Sequence, residues 1–159
     1  MTPSLRLAVL SLVGILCATV HLHAAEKFYS ADFKDWRDQR TDSGFNAQID
    51  REDGKAKILV PPQYTYGKVM TPQSAISMAV TPSLILQVTV DEISADSVLS
   101  VEIINAGPPY DGYKLITGVT QPGTYSASIG KVTEWTGDRN FWVAVWLEGS
   151  GKSAVLSKL

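Results

Sequence analysis

The stretch that most constrains this chain is an apolar run at residues 141–147, with the sequence FWVAVWL. In an extended strand, successive side chains point to opposite faces of the sheet. The run therefore divides into one continuous apolar face and one face with two indoles: Phe141, Val143, Val145 and Leu147 on the first, and Trp142, Ala144 and Trp146 on the second. The first face suits a protein core, and the second then places two tryptophans on the outside of the sheet.

The N-terminus has the pattern of an export signal. Arg6 gives a basic start, residues 7–20 are apolar, and Ala24 and Ala25 precede the first acidic residue, Glu26. Basic start, apolar centre and small residues before the cleavage site are the parts of a signal peptide. The apolar segment is shorter than the ~20 residues that a membrane-spanning helix needs. We therefore expect a cleavable signal peptide, with an uncleaved anchor as the alternative.

Cleavage would divide the chain into a signal peptide at residues 1–25 and one domain at residues 26–159, which has a typical single-domain length. We expect this domain to be secreted, periplasmic or on the cell surface, with no stable membrane span after cleavage. Its charge is one unit more negative than the −2 of the whole chain, because Arg6 is lost and every acidic residue is kept. It has no basic patch to neutralise phosphates, which excludes nucleic acid as a partner.

Loss of the leader also removes several kinds of chemistry. The single cysteine, Cys17, and both histidines, His21 and His23, lie within residues 1–25. The mature domain then has no disulfide, thiol nucleophile, serine–histidine triad or imidazole ligand. Carboxylate oxygens remain, and these are ligands for a hard cation such as calcium. We expect no cofactor, with a structural calcium ion as the alternative.

After Glu26, short strand-like runs alternate with turns rich in Gly, Pro, Asn and Asp, and no long segment has apolar residues at helical spacing. The predicted strands cover residues 27–30, 45–49, 55–60, 68–71, 74–80, 84–90, 98–104, 113–117, 124–129, 141–147 and 153–157. Residues 31–38 are expected to form one helical turn or a loop, and Asp53 and Gly54 a hairpin turn. Such a chain forms a two-layer antiparallel sandwich or a barrel, and a jelly-roll β-sandwich suits its length best.

The order of several segments resembles that of the galactose-binding-like jelly roll. These segments, spread over residues 27–157, are DFKDWR, DGKAKILVP, YGKVMTP, TPSLILQVTV, GTYSASI and TEWTGDRNFWVAVWLEGSG. This all-β fold occurs in carbohydrate-binding modules and accessory domains of secreted bacterial polysaccharide-degrading proteins. The resemblance implies a non-catalytic domain that binds a polysaccharide or another glycan. It also implies a structural calcium site near the first and last strands, for which Glu26 and Asp32 are weak candidates.

The first candidate ligand site is the face with Trp142 and Trp146, which lie four residues apart and therefore roughly 13 Å along a strand. A sugar site needs aromatic rings for the C–H face of the sugar and polar groups for its hydroxyls. The polar partners, if the neighbouring strands turn them to this side, are Gln87, Thr89, Ser100 and Glu102. The alternative is that this face is buried, either under the segment with Phe33 and Trp36 or against a protein partner.

The second candidate site lies in two turn-rich segments, since loops often carry binding residues. Its polar and aromatic residues are Tyr64, Tyr66, Asn105, Tyr110, Asp111 and Tyr113. The alternative is that these tyrosines anchor the corners of the sandwich. Trp135 is expected to fill the core rather than to contact a ligand.

An enzyme is the less favoured interpretation. A pair of carboxylates about 5–10 Å apart can hydrolyse glycosides. The candidates are Asp32, Asp35, Asp38, Asp91, Glu92 and Glu102, and their spacing selects no pair. The leading hypothesis is therefore a secreted, non-catalytic carbohydrate-binding domain. Its rivals are a cell-envelope structural or protein-interaction module and a carboxylate-dependent polysaccharide-active enzyme.

Overall fold

The computed structural model describes residues 33, 36–38, 46–77, 84–129 and 135–159. These residues form eleven strands, which are β1 (Arg37–Asp38), β2 (Gln48–Glu52), β3 (Lys55–Leu59), β4 (Tyr66–Met70), β5 (Ser74–Ser77), β6 (Leu84–Ile93), β7 (Val98–Asn105), β8 (Gly112–Val119), β9 (Gly123–Ile129), β10 (Asp138–Glu148) and β11 (Ser153–Lys158). None of the described residues is helical, so this part of the chain contains no helix that could span a membrane.

The strands form two antiparallel sheets. The front sheet has the order β1-β4-β10-β7-β8, and β5 pairs with the first half of β10. The back sheet has the order β2-β3-β11-β6-β9. Consecutive strands lie in opposite sheets except for β2 and β3, β4 and β5, and β7 and β8. The two strand orders correspond position by position, so that β10 and β11 each lie at the centre of their sheet. This arrangement is a jelly roll, which confirms the predicted all-β sandwich.

The core lies between the sheets and is built by strict alternation. The buried side of β10 consists of Phe141, Val143, Val145 and Leu147, as predicted. β7 adds Leu99, Val101 and Ile103, and the back sheet adds Ile58, Val88, Val90 and Leu156. One face of every central strand is therefore used for the core, and the other face is left for the surface.

The hairpin between β2 and β3 shows how the sequence sets a turn. Asp53 and Gly54 have φ values of 51° and 73°, the left-handed conformation that a two-residue hairpin turn requires. Asp and Gly tolerate this conformation better than most residues. The predicted turn is confirmed, and it places Ala56 and Ile58 on the core side.

The segment with Phe33 and Trp36 differs from its predicted role. Both side chains are buried in the core between the sheets, with ring centroids 5.0 Å apart. The Arg51 guanidinium holds this segment by donating to the carbonyl oxygens of Phe33 and Trp36. The interpretation that this segment covers the outer tryptophan face is therefore wrong, because its aromatic rings are used inside the sandwich. The predicted strand at residues 27–30 lies outside the described residues.

Trp135 fills the core at the other side of the fold, as predicted. Its indole is buried, its Nε1 donates a 2.9 Å hydrogen bond to Asp111 Oδ2, and the Tyr113 ring meets it edge-on with centroids 6.1 Å apart. The same bond, with a further one from Asn105, holds the pKa of Asp111 below its ordinary value. Asp111 is therefore a structural group rather than a free carboxylate.

Candidate functional site

The outer face of the front sheet is organised by β10. Its outward residues include Trp142, Ala144, Trp146 and Glu148. The last three have register neighbours on both β4 and β7, whereas Trp142 is paired with Ile104 on β7. Trp146 lies between Lys68 and Ser100, Ala144 between Met70 and Glu102, and Glu148 next to Tyr66. We call this surface the indole face.

A small apolar layer covers the centre of the indole face. Ala144 is 0% exposed although it points away from the core between the sheets, and Met70 is also buried. Trp142, Trp146 and Ile104 are half-buried and pack against these two residues. Because Ala144 is small, the large side chains on both sides of it can close over the strand, which leaves a partly exposed aromatic surface.

Trp146 is the most densely contacted aromatic residue of this face. Its Nε1 donates a 2.7 Å hydrogen bond to Glu102 Oε2. The ammonium nitrogens of Lys68 and Lys114 lie 4.5 Å and 5.3 Å from its ring centroid, within the range of a cation–π contact. The Tyr66 ring is tilted by 38° to the indole, with centroids 5.9 Å apart. Four side chains from three other strands therefore converge on one indole.

The charges around Trp146 balance each other. Lys68 is half-buried, which lowers its pKa, and the nearby Glu102 carboxylate acts in the opposite direction. Lys114 is exposed, and so is Glu148. Two ammonium groups thus face two carboxylates, and the surface offers both hydrogen-bond donors and acceptors without a large net charge.

An open depression of about 350 Å³ lies beside this indole. It is lined by Thr65, Tyr66, Lys114, Trp146 and Glu148. Its wall thus combines two aromatic rings with a hydroxyl, an ammonium and a carboxylate. This is the composition that recognition of a polar ring with an apolar face requires.

Three of the predicted ligand residues come together here: Tyr66, Glu102 and Trp146. Tyr66 was expected in a loop, but β4 begins at Tyr66, and the alternation of β4 turns it to the same side as Lys68. The fourth, Trp142, lies four residues along β10 at the far end of the apolar layer. Ser100 is on this face as well, but it is buried.

Gln87 does not belong to this face. The inward residues of β6 are Val88 and Val90, so Gln87 and Thr89 point outward from the back sheet, on the opposite surface of the sandwich. The expectation that they would join the indoles is therefore wrong. Alternation identifies the side of a strand correctly, but it does not identify the sheet to which the strand belongs.

The two predicted tyrosine segments also separate. Tyr64 packs against the core. Asn105 is only 3% exposed, and its Nδ2 donates to Gly107 O and Asp111 Oδ1, so its amide is used inside its own loop. Tyr110 is 58% exposed, but it lies far from Tyr66 along β10. Tyr110 follows the end of β7 that pairs with Phe141, near the start of β10, whereas Tyr66 pairs with Glu148 at its end.

Several site residues were missed by the sequence interpretation, namely Thr65, Lys68, Lys114 and Glu148. The alternation of YGKVM, with Tyr66, Lys68 and Met70 on one side, was a signal for Lys68. Lys114 gave no such signal, because register shifts interrupt the pairing of β7 with β8 on either side of Val101. Its position opposite Glu102 depends on that irregularity.

No metal centre is evident in the part of the chain that the structure describes. These residues include no group of three or more His, Cys, Asp or Glu side chains that could hold an ion. The candidate calcium ligands Glu26 and Asp32 lie outside this part. The calcium site implied by the resemblance stays a prediction.

No family model and no curated protein matches the sequence. Among solved structures, the chain is similar to a family 4 carbohydrate-binding module (CBM4), with 12% identity, a TM-score of 0.47, and coverage of 74% of this chain and 78% of the other. It is also similar to a chain from the accessory secretory protein 1, 2 and 3 structure of Streptococcus pneumoniae (10% identity, TM-score 0.45, coverage 74% and 91%). A family 29 carbohydrate-binding module in complex with cellulohexaose gives 10% identity, a TM-score of 0.34, and coverage of 72% and 77%. At these values, the similarities assign neither a family nor a ligand to this chain.

Proposed function

We propose that this protein is an exported, non-catalytic carbohydrate-binding domain, and that its ligand lies on the indole face. The observation that carries the proposal is the setting of Trp146 beside an open depression. The indole is fixed at its Nε1 by Glu102, flanked by Tyr66, and surrounded by charged groups that can bond sugar hydroxyls.

The chemistry of a sugar ring fits this arrangement. Its C–H face stacks on an aromatic ring, and its hydroxyls act as both donors and acceptors. In the depression, Lys114 donates, Glu148 accepts, and Thr65 and Tyr66 do either. The nearly balanced charge favours a neutral or weakly charged sugar over a strongly anionic one.

Trp142 supplies a second contact point on the same strand. It lies roughly 13 Å from Trp146 along β10, at about 3.3 Å per residue. The apolar layer formed by Met70, Ile104 and Ala144 connects the two indoles. We therefore propose an extended ligand, an oligosaccharide or a polysaccharide chain, that follows β10 rather than a single terminal sugar.

We propose that the carboxylates of the described residues serve structure or binding rather than glycoside hydrolysis. Glu102 is bonded to Trp146 on the front sheet, and Asp91 is bonded to Lys55 and Ser157 on the back sheet. Glu148 shares the indole face with Glu102 but lies four residues along from Ala144, the partner of Glu102. That offset separates the two backbones by roughly 13 Å along the strands, and the Glu102 carboxylate is already bonded to the Trp146 indole.

The test is a binding screen of the exported protein against a panel of soluble polysaccharides, by affinity electrophoresis and calorimetry. The mass of the mature chain checks the predicted cleavage near Ala25. We expect Trp146→Ala to weaken binding more than tenfold, because the stacking surface is lost, and Trp142→Ala to weaken it less. The matched control is Ile85→Ala, which removes an apolar side chain that is 77% exposed on the back sheet.

Two results would contradict the proposal. If no polysaccharide in the panel binds, or if the Trp146→Ala and Trp142→Ala variants bind as well as the wild type, the indole face is not a sugar site. Self-association of the wild type that Trp146→Ala abolishes, without any glycan binding, would instead favour the protein-interaction module.

A further inference from the structure

The Glu102 carboxylate on β7 contacts both neighbouring strands of the indole face, since it bonds Trp146 on β10 and fills the space beside Gly112 on β8. Resting on the proposed function, we propose that Glu102 is a positioning residue that holds the Trp146 indole in its ligand-binding orientation. Gly112 provides the space that this carboxylate occupies. Glu102 itself acts through the indole rather than through the ligand.

The geometry of the hydrogen bond supports this role. Trp146 has one hydrogen-bonding atom, Nε1, and it donates to Glu102 Oε2 at 2.7 Å, the short distance of a charge-assisted bond. Both groups are partly buried on neighbouring strands, with Ala144 opposite Glu102 in the register. A bond between rigid strands restricts the rotation of the indole more than packing alone does.

Gly112 on β8 gives an independent observation. A Cβ atom at this position would lie 3.0 Å from Glu102 Cδ and closer still to Oε1. Gly112 is not among the glycines with a left-handed backbone, so its conformation is open to other residues. The lack of a side chain at residue 112 is therefore explained by the Glu102 carboxylate above it, which takes the place that a Cβ would fill.

The Glu102 carboxylate also lies close to the two lysines beside the indole. Glu102 is paired with Lys114 in the register and attracts the half-buried Lys68. The ammonium nitrogens of Lys68 and Lys114 lie 4.5 Å and 5.3 Å from the centroid of the ring that Glu102 fixes. With the ring and its neighbours already ordered, a ligand meets a prepared surface and loses less conformational freedom of the protein on binding.

The role can be tested without a ligand and then with one. Labelling with 5-fluorotryptophan gives four fluorine NMR signals, one for each tryptophan, and Trp146→Phe assigns the one of interest. We expect Glu102→Ala to shift and broaden the Trp146 signal. Glu102→Gln keeps a carbonyl acceptor for Nε1, so it should preserve the signal of an ordered ring.

The glycine provides a second variant that leaves the carboxylate in the sequence. Gly112→Ala should displace the end of the flexible Glu102 side chain at little cost in stability and change the Trp146 signal in the same direction. The control is Gly107→Ala in the loop before β8, where an added Cβ meets nothing within 4 Å. On the polysaccharide that binds the wild type, we expect Glu102→Ala and Gly112→Ala to weaken affinity about tenfold, the loss expected for one charge-assisted hydrogen bond, and Glu102→Gln to restore most of it.

The outcomes separate this proposal from the proposed function. An unchanged Trp146 signal in Glu102→Ala, or full affinity with a disordered indole, would overturn the positioning role. If the signal moves as expected but no form of the protein binds a polysaccharide, the positioning of Trp146 by Glu102 is supported and the carbohydrate function is overturned.

Discussion

The two outer faces of the sandwich are built by the same alternation but have opposite characters. On the back sheet, the outward side chains bond to each other. Lys55 and Asp91 form a 2.7 Å ion pair, Ser157 donates to Asp91 at 2.6 Å, and the hydroxyls of Thr89 and Thr124 are 3.1 Å apart. These side chains use their charges and hydrogen-bonding atoms on one another, which leaves a polar surface at these positions.

The front sheet instead uses its outward positions for large apolar groups. Trp142 and Trp146 close over Ala144, and charged side chains surround Trp146. The polar atoms there converge on an indole and on an open depression. The inner faces of the two sheets thus build the shared core, while the residue types on each outer face determine whether that surface is self-paired or open to a ligand.

The largest expected effect tests the part that both sheets share. Leu147 and Leu156 lie on the inner faces of the front and back sheets, and both are fully buried. We expect Leu147→Ala and Leu156→Ala each to lower the free energy of unfolding by about 2–5 kcal/mol. Urea denaturation measures this, with Ile85→Ala as a surface control near zero. A cost below ~1 kcal/mol for one of them would show that the two sheets do not share one core.

An intermediate effect tests the difference between the outer faces. Ala144→Leu adds a branched side chain under the two indoles, and overpacking of this kind costs about 1–3 kcal/mol. The matched variant Ser126→Leu adds a similar side chain at an exposed position on β9 of the back sheet, where we expect a change within ~0.5 kcal/mol. Equal stability of both variants in urea would contradict the presence of a packed layer on the front face.

The smallest effect concerns the polar face in acid. Hydrogen bonds from Lys55 and then Ser157 lower the pKa of Asp91 below its ordinary value of 3.8. The folded state therefore binds the proton less tightly than the unfolded state, so the stabilisation is present above pH ~4 and is lost as the pH falls through the folded value. Thermal unfolding at pH 5 and pH 2.5 should show a smaller acid loss for Asp91→Asn than for the wild type.

The matched control for the acid experiment is Asp96→Asn in the exposed turn between β6 and β7, where the left-handed backbone accepts Asn. This variant removes a carboxylate without removing the ion pair. If it reduces the acid loss as much as Asp91→Asn does, the effect belongs to the overall charge and not to the back face.

The features of the fold that could be predicted are those that depend on neighbours in the sequence. The inner and outer residues of β10 follow from alternation alone, and the turn at Asp53 and Gly54 follows from the conformations that these two residues tolerate. Trp135 was also predicted correctly as a core residue. Each of these depends on local geometry that a few residues determine.

The features that could not be predicted depend on which strands become neighbours. Gln87 has the expected outward direction, but β6 belongs to the back sheet, and no local pattern reveals that. Lys114 reaches the indole face through an irregular register between β7 and β8. The candidate site was thus partly predictable. The sequence named Trp142, Trp146, Glu102 and Tyr66, and alternation within β4 was a signal for Lys68, but the position of Lys114 required the long-range pairing.

The position of the last two strands has a consequence for how this protein forms. β10 separates β4 and β5 from β7 in the front sheet, and β11 separates β3 from β6 in the back sheet. A nascent chain that has not yet delivered residues 138–158 therefore holds four incomplete pieces of sheet with open edges. Neither layer can close until β10 and β11 have been made, so molecules that lack them expose unpaired strands to chaperones and proteases.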